Sequence, residues 1–221
     1  PETSRLMLIK PVYKGDISEG IAMMHLGDSA SFIINADSFY FKNVGVKTLP
    51  EKIDSGSKLV FEIKVISIMK KAEYEKEQKL RMEKMTAMME ERKKKEPEDI
   101  LTYVKENKIT VKPTATGLYY VETKRGTGVK AESGKQVFVS YTGKLLDGTV
   151  FDSSEGKAPI SFKLGTKEVI PAWDEGVALM RVGGKAKFVI PSNIAYGERG
   201  AGNVIMPYSP LVFEVELVDV K

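Results

Sequence analysis

Seven side chains in the last hundred residues of the chain have the types and the spacing to do chemistry together: Tyr141, Phe151, Asp152, Trp173, Tyr196, Tyr208 and Phe213. They form an aromatic set with a single acid. No nucleophile stands beside a base, no metal-ligand cluster is spaced for coordination, and neither a phosphate loop nor a dinucleotide glycine pattern occurs. The one histidine, His25, is read as incidental, and there is no cysteine, so disulfides and thiol chemistry are excluded. Aromatic walls with a few oriented hydroxyl or amide donors suit a dry binding pocket. The centre of the set is Trp173, the only tryptophan. A lone tryptophan on an apolar helix face is usually core, but here the flanking aromatics converge on it, and it is read as a pocket floor.

The elements that must hold these residues follow from periodicity. Val169-Ile170 is an apolar pair that turns at Pro171 into a short helix, with Val177 and Met180 following Trp173 at helical spacing. Around it, short strands alternate with glycine turns: 117–123, then 136–141 with Val137, Val139 and Tyr141 on one face, 185–190 and 211–220. Asp147-Gly148 marks a hairpin between 144–146 and 149–151. One helix among strands predicts an antiparallel sheet and an α+β fold.

Upstream, residues 18–26 read as a helix ending at Gly27, with strands over 30–34 and 59–68. From about Lys70 to Lys95, lysine, glutamate and methionine dominate without Gly or Pro, which predicts a long helix. Met82, Met85 and Met89 make a narrow stripe on it. That stripe suits a solvated spacer resting one face on something, or a dimer seam or adaptable binding face, since methionine suits promiscuous apolar contacts. Glu96-Pro97-Glu98-Asp99 reads as the start of a second helix, about 97–106, with Ile100, Leu101 and Val104 buried. A helical linker over 69–112 thus separates residues 1–68 from a domain at 113–221.

Composition sets outer limits. A chain of 221 residues with a net charge of +4 makes one large or two small globular domains. Its basic residues lie largely in one glutamate-interleaved run, which argues against a nucleic-acid surface. No apolar run approaches the roughly 18 residues that predict a transmembrane helix. The start at Pro1 carries the expectation of a piece trimmed from a longer precursor.

The two strand-rich regions are related to one another. Ser18-Glu19-Gly20-Ile21-Ala22 aligns with Asp174-Glu175-Gly176-Val177-Ala178, and Ala30, Phe32, Ile34 and Tyr40 with Ala186, Phe188, Ile190 and Tyr196. Leu59-Val60-Phe61-Glu62 then matches Leu211-Val212-Phe213-Glu214. So many identities in order indicate a duplicated domain whose first copy is partial and degenerate, with Ile17 in the place of Trp173. A sheet lacking its first strands leaves unpaired edges, so an upstream segment or another element is expected to complete it.

Val139-Ser140-Tyr141-Thr142-Gly143, Gly148 to Ser154, the 169–180 stretch, Ala195-Tyr196-Gly197 and Leu211 to Leu217 together resemble the FKBP family of peptidyl-prolyl cis-trans isomerases. The likeness runs in order from about Gly117 to the C-terminus. It implies an antiparallel sheet wrapped around one short helix, preceded here by the long charged helix and a partial FKBP-like repeat. It also implies a pocket with Trp173 as floor and Tyr141, Phe151, Val169, Ile170 and Phe213 as walls. Tyr196, through its hydroxyl, and Ile170, through its backbone N–H, would donate to the peptide's carbonyls. Asp152 would be the polar group of the wall, with Val204 and Ile205 in the flap. Ile160 replaces a common aromatic, Met206 a common proline, and Lys157 is the candidate basic partner of Asp152. Ala201-Gly202-Asn203 makes an unusual flap tip.

Such a pocket needs no nucleophile and, by resemblance, no cofactor or metal. Amide resonance separates cis and trans X–Pro forms by about 18–20 kcal/mol. A dry site that favours the twisted amide lowers this barrier by differential binding. The implied partners are proline-containing polypeptides or unfolded proteins, with no nucleic acid, and a homodimer through the 70–95 helix stays open beside the spacer reading. The alternative is a non-catalytic chaperone or peptide-binding module. Family resemblance points to the bacterial periplasm or outer membrane, while the residues themselves leave the cytoplasm open.

Overall fold

A computed structural model describes residues 3–221, so the reading of Pro1 as a trimmed start lies outside the described residues. The chain divides into two compact units, residues 1–78 and 79–221.

In the first unit, helix α1 (Ile17–Ala22) precedes strand β1 (Ser29–Asn35), a short helix α2 (Ala36–Ser38) that runs into a π-helical turn (Phe39–Val44), and strand β2 (Lys58–Lys64). The predicted 18–26 helix is shorter than expected because Met23 already caps it, its N–H donating to Gly20 O and the following Met24 N–H to Ile21 O, both at 3.1 Å. Gly27, expected as that helix's cap, instead donates its N–H to Val65 O at 2.8 Å. Asp16 caps the other end. Its carboxylate is 2% exposed and accepts from the N–H of Ser18 and Val12 and from the Asn43 amide. Burial alone would raise its pKa, but these hydrogen bonds outweigh it and hold the carboxyl below its ordinary value. β1 and β2 pair antiparallel, with Phe32 opposite Phe61.

Helix α3 (Lys71–Glu106) is a single helix of 36 residues containing Pro97. The expected break into two helices does not occur. Proline in a helix interior removes one backbone hydrogen bond and crowds the preceding turn. Here the flanking residues are held by tertiary contacts that outweigh that penalty. Arg92 and Glu96 bond to the 192–209 segment on one side of the proline, and Ile100, Tyr103 and Val104 pack on the sheet on the other. The residues from 79 to 112 cluster with the second unit, and the helix rests one face on it. Leu101, expected to be buried, is 51% exposed, and Tyr103 takes the inward position instead. No helix of the described residues is long and apolar enough to cross a membrane.

The remainder is an antiparallel sheet of strands β3 (Tyr119–Lys124), β4 (Gln136–Leu145), β5 (Val150–Ser153), β6 (Ile160–Lys163), β7 (Lys185–Ile190) and β8 (Leu211–Val220), with helix α4 (Pro171–Ala178) between β6 and β7. The strand order is β3-β7-β8-β4-β5, and β6 pairs with the start of β4. The fold is α+β, as the repeated turns and alternating strands predict, with the antiparallel sheet wrapped around one short helix that the resemblance implies.

Alternation sorts the faces of this sheet. Val137, Val139, Phe188, Ile190, Leu211, Phe213, Val215 and Leu217 point inward onto Trp173, Val177 and Met180 of the α4 region. On the outer face, Lys144 and Lys185 pair with Glu214 and Glu216 at 2.9 Å each. Two outward positions break the pattern: Val189 and Val212 face each other across β7 and β8 and are buried under Ile100, Tyr103 and Val104 of α3. The helix therefore covers one end of the sheet's outer face and makes a second, smaller core.

Candidate active site

Four aromatic rings converge where β4, β5, β8 and α4 meet, and Phe213 is their hub. Its ring centroid lies 5.3 Å from Trp173 and 5.5 Å from Phe151, both edge-to-face, and 6.0 Å from Tyr141. Tyr141 stands edge-on to Trp173 at 4.9 Å. Edge-to-face contact matches the positive rim of one ring to the negative face of the next, worth about 0.5–1.5 kcal/mol per pair beyond area burial.

Gly143 makes this approach possible. Strand period places it on the same face as Tyr141, opposite Phe213 on β8 and Asp152 on β5. A Cβ at this position would lie 2.7 Å from Phe151 Cζ and 2.8 Å from Phe213 Cε1. The glycine that ends the Val139–Gly143 motif is the gap into which two aromatic rings close.

Asp152 and the two serines after it are fixed to Tyr141. The Tyr141 hydroxyl donates to Asp152 Oδ2 at 2.5 Å. Tyr141 N–H donates to Ser154 Oγ at 2.8 Å, and Ser154 N–H donates to Tyr141 O at 3.0 Å, so the buried serine staples β5 to β4. Lys157, the expected basic partner of Asp152, donates instead to Ser153 O at 3.2 Å, because the short turn after Ser154 folds the lysine back on its own strand. The acid's partner is thus a tyrosine. Burial, then the hydrogen bond and charge of Asp152, push the Tyr141 pKa up to about 12, and burial followed by the Asp152 charge raises Tyr196 as well. Both hydroxyls stay protonated donors at neutral pH.

Trp173 is 3% exposed at the start of α4. Ile170 is the N-cap and Pro171 the first helical residue, a position where the missing N–H costs nothing. Asp174 accepts from the backbone N–H of Gly165 at 2.7 Å and Lys167 at 3.1 Å, which ties the loop before Val169 to the helix. Gly176 lets α4 lie on the sheet, since a Cβ there would sit 2.6 Å from Phe188 Cζ. The indole N–H of Trp173 is buried and meets no acceptor among the described residues.

The other expected site residues fall around this group unequally. Tyr141, Phe151, Ile160, Val169 and Ile170 are partly buried against the core cluster that holds Trp173, Phe213 and Ile205. Tyr196 is 37% exposed, in a turn after the 192–194 helical turn. Ala201 and Ile205 exchange both backbone hydrogen bonds, at 2.8 and 3.1 Å, so Ile205 points into the core while Val204 stands at the tip, 48% exposed. Tyr208 departs from the set: its ring lies under Lys93 of α3, 5.6 Å from the ammonium. Phe162, missed in the sequence, packs 5.8 Å from Trp173; its alternation with Ile160 on β6 was the available signal. His25 is exposed beside Asp28 in the first unit.

Two open grooves on the second unit, one of them bordered by Tyr141, are walled mainly by polar and charged residues. One is bounded by Glu122, Arg125 and Arg181, the other by Ser140, Lys185, Lys187 and Glu216. Neither reaches Trp173 or Tyr196, and neither has the apolar lining that would hold a proline ring.

The sequence model described as FKBP-type peptidyl-prolyl cis-trans isomerase matches residues 127–218. The peptidyl-prolyl cis-trans isomerase FPR2 of Saccharomyces cerevisiae is 59% identical over 95 residues, 42% of this chain and 70% of the yeast protein. The chain belongs to the FKBP-type peptidyl-prolyl cis-trans isomerase family. A probable FKBP-type isomerase of Neisseria meningitidis, FkpA, is 50% identical over 121 residues, which is 53% of this chain and 44% of that one. The crystal structure of FkpA from Escherichia coli superposes with a TM-score of 0.57 at 36% identity, over 71% of this chain and 75% of that one. The chain thus spans less than half the length of the Neisseria relative, and the family match falls within the second unit. That unit carries an FKBP-type isomerase domain, whose family acts on proline-containing polypeptides.

Proposed function

We propose that the protein is a folding helper that turns over X–Pro bonds in polypeptide chains at the aromatic site. Trp173 is the floor. Tyr141, Phe151, Ile160, Val169, Ile170 and Phe213 are the walls, and Val204 with Ile205 forms the flap. The supporting observation is the aromatic group centred on Phe213, with Tyr196 standing at its side as a protonated donor. The Ile170 N–H, which no protein carbonyl accepts among the described residues, and the Tyr196 hydroxyl hold the peptide's carbonyls. Asp152, held by Tyr141, presents a fixed negative edge to the substrate. A twisted amide has less charge separation than a planar one, so a dry apolar wall favours it, and the barrier falls by differential binding.

The test is turnover of a proline peptide by the wild type and by Tyr196→Phe, Asp152→Leu and Trp173→Ala. Wild-type turnover no faster than that of Trp173→Ala ends the catalytic reading.

A binding role accompanies this one. On α3, Leu80, Met82 and Met85 remain largely exposed. Flexible apolar side chains on an otherwise charged helix suit a homodimer seam or a hold on unfolded chains. Replacing Met82 and Met85 by lysine and measuring mass by sedimentation separates these: an unchanged monomer in wild type and variant removes the dimer arm.

The first unit is best accounted for as a degenerate FKBP-like half. Phe32 faces Phe61, Ile34 faces Leu59 and Ala30 faces Ile63, the same register as Phe188 with Phe213, Ile190 with Leu211 and Ala186 with Val215. A Cβ on Gly20 would strike the Phe32 ring at 2.1 Å, as one on Gly176 would strike Phe188. With Ile17 in the place of Trp173, this half has no aromatic floor, and all turnover is expected from the second unit.

A further inference from the structure

The segment that carries Tyr196 and the flap leaves the sheet at Pro191 and returns to it at Leu211. Between these points it has only one helical turn of regular structure, Ser192–Ile194. Its two ends are not held by the sheet alone. At the entry, Ser192 donates its N–H to Glu96 Oε1 at 2.5 Å and its hydroxyl to Glu96 Oε2 at 2.8 Å. At the exit, Arg92 donates from Nε to Pro207 O and from Nη2 to Ser209 Oγ, both at 2.8 Å. Ser192 and Ser209 are 2% and 6% exposed, so these bonds lie at buried ends of the segment.

Arg92 and Glu96 are four residues apart, one turn along one face of α3, and the face continues through Ile100 and Tyr103 onto the sheet. The helix is thus a rigid bar across both ends of the segment. Tyr196 depends on the entry end directly. Ala195 N–H and Gly197 N–H, on either side of it, both donate to Ser192 O at 2.9 Å. Tyr208 N–H then donates to Gly197 O at 2.9 Å, joining the exit end to the same turn. The route from Glu96 to the hydroxyl of Tyr196 runs through one serine and the turn it anchors.

We infer that Glu96 and Arg92 are positioning residues of the isomerase site, acting through the 191–209 segment to fix where Tyr196 presents its hydroxyl. The inference rests on the proposed role of Tyr196 as a donor to bound peptide. Neither α3 residue touches the aromatic group, and their spacing along a helix that reads as a spacer hides them in the sequence. Each uses both arms of its fork. Carboxylate and guanidinium groups provide the two oriented bonds that a lysine or an alanine cannot.

The experiment uses the full chain and a proline peptide, with kcat and KM separated and thermal melts alongside. Glu96→Ala is expected to lower kcat roughly ten- to hundredfold, with little change in KM, the pattern of a misplaced group that acts on the twisted amide. Glu96→Gln keeps an acceptor for the Ser192 N–H and is expected to restore most of the rate. Arg92→Lys, which cannot make both bonds, should behave like Arg92→Ala. The decisive arm is the double variant Glu96→Ala with Tyr196→Phe. If Glu96 acts through Tyr196, the double variant turns over no slower than Tyr196→Phe alone. Multiplying losses overturn the route, as does a normal rate in Glu96→Ala where Tyr196→Phe is slow. A Tyr196→Phe variant with full turnover instead overturns the donor role of Tyr196, and the positioning role with it.

Discussion

Pro97 is the residue at which the local chain and the folded unit disagree most, and its replacement by alanine gives a measurable contest between them. In α3 the proline leaves the carbonyl of Lys93 without its helical donor and crowds the turn before it. Proline costs about 3 kcal/mol relative to alanine in a helix interior. Against that, proline stiffens the unfolded chain, an advantage of about 0.4–1 kcal/mol that the variant gives up. Because α3 is docked on both sides of the proline, a repaired turn needs no other change. The expected net gain is about 2 kcal/mol. For a unit of this size that corresponds to a rise in Tm of roughly 6–10 °C. Circular dichroism melts of wild type and Pro97→Ala measure it, with turnover measured in parallel. A lower or unchanged Tm refutes the account, because it means that the proline itself helps Arg92, Glu96 and Ile100 to reach their partners together.

Trp173→Ala should lower the stability of the second unit by about 3–5 kcal/mol, since it removes a ring buried against three aromatic neighbours; a denaturant midpoint shifted by less than a quarter of that would show the site collapses freely. Gly143→Ala forces Phe151 and Phe213 apart, and is expected to cost about 1–3 kcal/mol together with a loss of turnover. A variant with wild-type melt and rate would contradict the packing described. Tyr141 and Tyr196 bind their protons more tightly when folded, so their contribution is present below about pH 10, the ordinary tyrosine value, and is lost as pH rises from there through their raised folded values. Urea midpoints at pH 9, 10 and 11 should fall in that order, and less steeply in Tyr141→Phe. Asp16 has the opposite sign. Its depressed carboxyl stabilises the first unit above the ordinary carboxylate range and loses that contribution as pH falls through its folded value, while Asp16→Ala should cost about 1–2 kcal/mol at neutral pH, read as faster hydrogen exchange over residues 17–22.

The parts of the fold that depend on short-range pattern were legible from the residues alone. Strands 185–190 and 211–220 alternate over most of their length and are set off by Gly183-Gly184, Pro191 and Pro210, and their bounds agree with the structure. The hairpin at Asp147-Gly148 follows from a glycine at φ 89° that few other residues adopt. The aromatic set, Tyr208 excepted, was legible for a different reason: its members lie on separate elements, but each sits in one of the motifs that carry the family resemblance. The sequence also carried a cue that was not read. Val189 beside Ile190, and Val212 between Leu211 and Phe213, are apolar where alternation asks for polar residues. An outward valine pair announces that something covers the outer face of the sheet, and α3 is what covers it.

The amino-acid order by itself determined which segments form strands, where the Asp147-Gly148 hairpin turns and which residues of 136–141 share a face, because these are set by a period of two residues and by local turn chemistry. It did not determine that α3 passes through Pro97 without a break, or that Arg92 and Glu96 hold the segment bearing Tyr196. Those outcomes depend on bonds between residues about a hundred positions apart, whose free energy outweighs a local penalty only once the sheet has formed. Lys157 shows the same limit from the other side. Its charge promised a partner for Asp152, and the turn it sits in gave that place to Tyr141.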